Sequence, residues 1–155
     1  MGVGKTSVCR CLQKRLDRSV FLDGDWCWDM NPFQVTEETR AMVLDNICHL
    51  LGNFLSCSAY DHVILGWVMD RQSILDAILS RSDTSTCQIS AISLVCSPQI
   101  LAQRLQRDVD AGIREADIIP RSLARLPLYE ALDTVKLDTS VLSPEEAAQW
   151  IQRSG

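Results

Sequence analysis

The chain has 155 residues, with 15 Lys and Arg against 20 Asp and Glu and a formal net charge of −5. That length suits one domain with a real core, and the acidic balance argues against nucleic acid as a partner, because binding a phosphate backbone is driven by clustered Lys and Arg. The longest uninterrupted apolar run, Val63 to Met69, is far short of the ~20 residues that span a membrane, and Lys5, Arg10, Lys14, Arg15 and Asp17 break up any secretory h-region, so a soluble, cytoplasmic protein with no membrane partner is expected.

The chain opens MGVGKTS. Closely spaced glycines let backbone N–H groups wrap phosphate oxygens, Lys5 supplies positive charge to the β- and γ-phosphates, Thr6 offers a hydroxyl to Mg²⁺, and a helix beginning at once adds its dipole. Gly2, Val3, Gly4, Lys5, Thr6 and Ser7 are therefore a candidate phosphate-binding loop. The full pattern G-x-x-x-x-G-K-[ST] sets its first glycine five residues before Gly4, a position ahead of Met1.

From Ser7, the residues Val8, Leu12 and Leu16 recur on one helical face. SVFLDGD then reads as a short strand with Asp23 and Asp25 at its C-terminal tip, although Asp-Gly-Asp is also an ordinary solvated turn. Trp26 and Trp28 in the following WCWD fit a pocket lining and a core equally well. Past Asn31-Pro32, TEETRAMVLDNICHLLGNFL places Val43, Ile47, Leu50 and Phe54 on one face of a long helix, with Glu37 and Glu38 near the favourable end of its dipole.

HVILGWVM (62–69) and QISAISLVC (88–96) read as two further strands, each leading into a helix, the second through Ser97-Pro98 and QILAQRLQRD. The charge- and turn-rich stretch 110–127 is the best candidate for a mobile segment. TVKLDTS is a last short strand, and Ser143-Pro144-Glu145-Glu146 is a capping box opening the final helix. Alternation of helices and strands around a parallel sheet gives an α/β class. The seven cysteines, Cys9, Cys11, Cys27, Cys48, Cys57, Cys87 and Cys96, show no C-x-x-C pair and read as small buried hydrophobes in a reducing compartment, Cys27 lying beside the candidate site.

GVGKTS, FLDGDW at the distance of a second strand, RLQRD before a charged segment, and LDTS closing the last strand resemble one family over nearly the whole chain. It is that of the small P-loop kinases typified by shikimate, gluconate and adenylylsulfate kinases and the chloramphenicol phosphotransferase. The resemblance implies a three-layer P-loop NTPase-type α/β fold with a parallel sheet in the order 2-3-1-4-5, one domain over residues 1–155 and a lid-like segment at about 108–127. It implies transfer of the γ-phosphoryl group of ATP, with Mg²⁺, to a small-molecule hydroxyl or a nucleotide.

By the same resemblance Asp25 orients the acceptor and takes its proton, and Asp23 partners Mg²⁺ together with Thr6. Asp23, Asp25, Trp26 and Arg40 are the acceptor-binding candidates. Lys5 and a lid arginine, Arg107 foremost among Arg104, Arg107, Arg114, Arg121 and Arg125, stabilise the transferring group. Surface pairing of these arginines with Asp108, Asp110, Glu115 and Asp117 is the competing reading. In the resembling kinases adenine is held largely by backbone near the last strand, here around Asp138, Thr139 and Ser140, which leaves the identity of the base open.

Two departures from the family pattern stand out. HVILGWVM carries no acidic residue at its end until Asp70, so Mg²⁺ rests on Thr6 and Asp23. The first strand of the family order is not found, which points to a start assigned too late or a fragment and leaves the strands at 62–69 and 88–96 to face a gap or to pair directly. The alternative function is nucleotide binding without turnover; a GTP-dependent switch is disfavoured by the lack of an N-K-x-D motif.

Overall fold

The fold is that of a computed structural model, which describes residues 2–154. α1 (Lys5–Arg15) leads into β1 (Ser19–Asp23), a 3-10 turn (Gly24–Trp28), α2 (Glu37–Leu55) and β2 (His62–Gly66). Then come α3 (Gln72–Arg81), β3 (Ile92–Val95), α4 (Pro98–Asp110), the short α5 (Ile118–Leu123) and α6 (Leu126–Glu130), β4 (Val135–Asp138) and α7 (Pro144–Ser154). Capping fixes several boundaries: Thr36 Oγ1 accepts from Thr39 N at 3.1 Å, Ser97 Oγ from Ile100 N at 3.3 Å, and Ser143 Oγ from Glu146 N at 3.2 Å.

β1 runs parallel to β2, with Asp23 opposite Gly66, and β3 runs parallel to β4, with Val95 opposite Asp138. These pairs are the 2-3 and 4-5 neighbours of the expected order. Among the described residues no strand joins β2 to β3, so the two do not pair directly and each keeps one edge without a ladder partner.

Alternation along a strand sends neighbours to opposite faces, and β1 shows what that does. Phe21 joins Val8 and Leu12 of α1, Ile64 of β2, Leu137 of β4 and Ala147 and Ala148 of α7. Leu22 joins Val43, Ile47, Cys48 and Leu51 of α2 and Ile78 of α3 on the other side. A third cluster gathers Val3, Cys96, Leu101, Leu105 and Ile118. Helices thus cover the strands on both faces, and the α1/α7 cover spans both strand pairs: the chain is a three-layer α/β structure. Fully buried Leu22, Ile47, Leu101, Leu105 and Val43 anchor it, each worth about 1.5–3 kcal/mol relative to exposure.

Local details depart from the sequence reading. α1 starts at Lys5, two residues earlier than expected, with Gly4 as its N-cap. The buried stripe of α2 is Val43, Ile47, Cys48 and Leu51, whereas Leu50 is 37% exposed. At 100° per residue Leu50 lies 20° to one side of Val43 while Ile47 and Leu51 lie on the other, so the stripe is rotated away from it. β2 stops at Gly66 because Trp67 turns onto Gly24, and β3 spans only Ile92–Val95. Of the stretch 108–127, residues 108–110 complete α4 and 118–123 form α5, whose Ile118 is buried against Leu101 and Leu105. All seven cysteines are free, and among the described residues no helix is long and apolar enough to cross a membrane.

Candidate active site

Gly2 and Gly4 hold φ angles of 77° and 93°, a region that glycine enters without strain. The Gly4 carbonyl accepts from Val8 N at 2.9 Å and so starts α1. No side chain caps that helix end, which leaves its first-turn N–H groups and the positive end of the dipole for an anion.

Lys5 and Thr6 emerge from this turn toward the tip of β1. The Thr6 hydroxyl donates to Asp23 Oδ2 at 3.0 Å, and the Asp25 N–H donates to Asp23 Oδ1 at 3.1 Å. Asp23 is 6% exposed, so a buried carboxylate has both oxygens engaged, as burial requires. Asp25 is exposed, and its carboxylate has no hydrogen-bond or salt-bridge partner among the described residues, its charge acting on Lys5. Burial pushes the Lys5 ammonium below its ordinary pKa, while the charges of Asp25 and then Asp23 hold it up; Arg114 acts with burial. Asp25, Asp23 and Arg114 therefore all lie within reach of the Lys5 charge.

The acidic tip is not the ordinary solvated turn that Asp-Gly-Asp offered as the alternative reading. It is a 3-10 turn whose N-cap is Asp23 itself, and Gly24 is required there because an added Cβ would lie 2.5–2.8 Å from Trp67. The two neighbouring tryptophans divide: Trp28 packs in the α2 cluster and against Phe33 at 5.9 Å, while Trp26 is 58% exposed, 5.7 Å from the Arg10 guanidinium. Burial raises the thiols of Cys9, to about 11, and of Cys27, which disfavours the thiolate at both.

The arginines separate as well. Arg40 on α2 and Arg107 on α4 are exposed and have no partner among the described residues. Arg114 pairs with Asp108 at 2.9 Å, Arg121 with Asp117 at 2.7 Å and Arg125 with Asp70 at 3.5 Å, so all three are paired, two of them with the acids named in the competing reading and Arg125 with Asp70. Arg104 turns inward, Nη2 donating to the Thr139 carbonyl at 2.7 Å. Arg114 is the arginine whose charge reaches Lys5, which the sequence did not single out: it follows the left-handed Gly112 (φ 69°), and helical spacing from Arg107 says nothing beyond that break.

A cavity of about 170 Å³ opens beside the loop, bordered by Gly2, Gly4, Ser7, Arg104, Thr139 and Pro144. A wider depression of about 710 Å³ between α2 and α3 touches no loop residue and is open to solvent. Among the described residues no three His, Cys, Asp or Glu side chains gather to hold a metal; Thr6 and Asp23 offer two oxygens.

The profile of the AAA domain family matches residues 1–119. No curated protein matches the sequence. Among solved structures, the tunicamycin resistance protein of Deinococcus radiodurans superposes with a TM-score of 0.69 at 17% identity, covering 99% of this chain and 89% of that one. A gluconokinase of Sinorhizobium meliloti 1021 gives 0.69 at 18% identity, covering 99% and 88%, and a sugar kinase of a Janibacter species 0.69 at 17%, covering 98% and 87%. With a capless glycine turn feeding α1, parallel strand pairs and helices on both faces, the chain has a P-loop NTPase-type fold and belongs to the AAA domain family.

Proposed function

We propose that the protein is an ATP-dependent phosphotransferase that moves the γ-phosphoryl group to a hydroxyl of a small molecule or nucleotide. The observation that carries this is the Thr6–Asp23 hydrogen bond of 3.0 Å, which sets the loop hydroxyl against the acid at the strand tip, beside an Asp25 carboxylate without a hydrogen-bond or salt-bridge partner among the described residues. Two proteins of similar fold, a sugar kinase and a gluconokinase, support it.

In this reading the loop N–H groups and Lys5 hold the β- and γ-phosphates. Thr6 and Asp23 fit Mg²⁺: the hydroxyl already gives its proton to a carboxylate and keeps its oxygen lone pairs for a cation. Bound there, Mg²⁺ would neutralise phosphate charge. Asp25 orients the acceptor hydroxyl and receives its proton, with Trp26 and Arg40 on the acceptor side. Arg114 and Arg107, in a lid over residues 108–127, would meet the charge developing on the transferring group.

The test is Mg²⁺–ATP binding by calorimetry for the parent chain and for Lys5→Ala. Lys5→Ala should weaken binding or transfer by at least ~10²-fold, the scale of one lost charge-assisted contact, with an unchanged unfolding temperature. Equal affinity and equal transfer would remove Lys5 from the site.

A further inference from the structure

We infer that Thr139 is a positioning residue of the phosphate loop: its buried hydroxyl holds the Val3 carbonyl, and Arg104 holds Thr139. The inference deepens the phosphotransferase reading and rests on it. Thr139 stands just past the end of β4 and is 2% exposed. Its N–H donates to the Val95 carbonyl at 2.8 Å, which fixes its backbone against β3. Its Oγ1 lies 3.1 Å from that same carbonyl and 3.2 Å from the carbonyl of Val3, in the loop.

A hydroxyl has one proton to give. The Val95 carbonyl is already served by the Thr139 N–H, whereas the Val3 carbonyl is buried in a segment that belongs to no ladder. Arg104 fixes the hydroxyl as the donor. Its Nη1 donates into Thr139 Oγ1 at 3.3 Å and its Nη2 into the Thr139 carbonyl at 2.7 Å. With the guanidinium occupying the acceptor side, the hydroxyl proton turns toward the carbonyls, and a donor that is itself receiving a charged hydrogen bond donates more strongly.

The consequence falls on Gly4. The Val3 carbonyl and the Gly4 N–H belong to one planar trans peptide and point opposite ways, so tying the carbonyl to Thr139 aims the Gly4 N–H to the other side of the loop. The Val3 side chain is packed in the third cluster, but on the far side of that peptide the Gly4 φ is a glycine torsion, which leaves the plane free to turn about it. Thr139 thus presets a phosphate-facing amide without touching phosphate, and presetting donors is what spares a binding loop the ordering penalty.

The experiment uses Thr139→Val, which removes the hydroxyl at constant shape, and Thr139→Ser, which returns it. Affinities for inorganic tripolyphosphate and for Mg²⁺–ATP are read by calorimetry, beside thermal unfolding and the Gly4 amide resonance. Tripolyphosphate has no base and reports the loop alone. Thr139→Val should weaken both ligands by about tenfold, one neutral hydrogen bond's worth, with Thr139→Ser within about threefold of the parent. If folded Thr139→Val binds tripolyphosphate as the parent does, or if Thr139→Ser is as weak as Thr139→Val, the positioning role is overturned. Should Thr139→Val not fold, Arg104→Met serves: weaker tripolyphosphate binding supports the role and unchanged binding overturns it. A parent chain that binds neither ligand overturns the phosphotransferase reading instead; the Gly4 resonance then still decides, because loss of the Val3 hydrogen bond shifts it in Thr139→Val, and an unshifted resonance overturns the positioning role on its own.

Discussion

At the scale of single residues, Lys5 and Thr6 were read from their separate tasks toward phosphate and Asp23 was added by the family resemblance, and the structure joins Thr6 to Asp23 at 3.0 Å. The different burial of the two acids was not legible in the letters Asp-Gly-Asp; it comes from the 3-10 turn, which buries one carboxylate and exposes the other. Asp25→Asn should therefore lower kcat by about 10²-fold or more at nearly unchanged ATP affinity, as loss of a positioned base does. A collapse of ATP affinity with unchanged turnover of bound nucleotide would make Asp25 a metal partner. Cys9 supplies a pH dependence. Burial first, then Asp23, raises its thiol from 9.0 to about 11, against Lys5 and Arg10. The folded state thus keeps a proton that the unfolded state loses, so this contribution is complete below pH 9 and is lost as pH rises to about 11. It amounts to at most about 3 kcal/mol. Urea unfolding of the parent should lose stability faster over that window than Cys9→Ala does; parallel curves would contradict the assignment.

At the scale of elements, helix starts were legible where capping chemistry is local, as at Thr36, Ser97 and Ser143. Strand ends were not, because they depend on partners distant in sequence. HVILGWVM reads as one apolar run, yet Trp67 leaves the ladder to cover Gly24. Two glycine substitutions separate these effects. Gly24→Ala would push a methyl to within 2.5–2.8 Å of the Trp67 ring, so it should cost about 1–3 kcal/mol of stability and slow transfer through a displaced Asp25. Gly52, inside α2, has nothing within 4 Å of an added Cβ, and Gly52→Ala should stabilise by about 0.5–1 kcal/mol. Equal unfolding temperatures for the two variants would show that Trp67 does not pin the acidic tip. The arginines of 104–125 were legible only as a group, since Arg104 turns to Thr139 and Arg114 reaches Lys5 by way of a glycine turn rather than helical spacing.

At the scale of the whole molecule, the α/β class follows from hydrophobic periodicity, the pairing of strands is what the family resemblance implied, and the three layers follow from alternation within β1. What periodicity does not carry is how the two strand pairs meet. Each described strand is laddered on one edge only, so alternate amides in β2 and β3 lack a ladder acceptor. Native-state hydrogen exchange should show alternating fast and slow amides through His62–Gly66 and Ile92–Val95; uniform protection of consecutive amides would mean that both edges are paired. The phosphotransferase reading itself meets its most direct test in ³¹P NMR of Mg²⁺–ATP with the parent chain and a panel of sugar, sugar-acid, nucleoside and nucleotide acceptors. The account predicts a phosphoester signal that grows at the expense of the γ-phosphate with one acceptor class and is abolished by Lys5→Ala. ATP that binds in a Lys5-dependent way yet stays intact with every acceptor would contradict it and leave a nucleotide-binding protein without turnover.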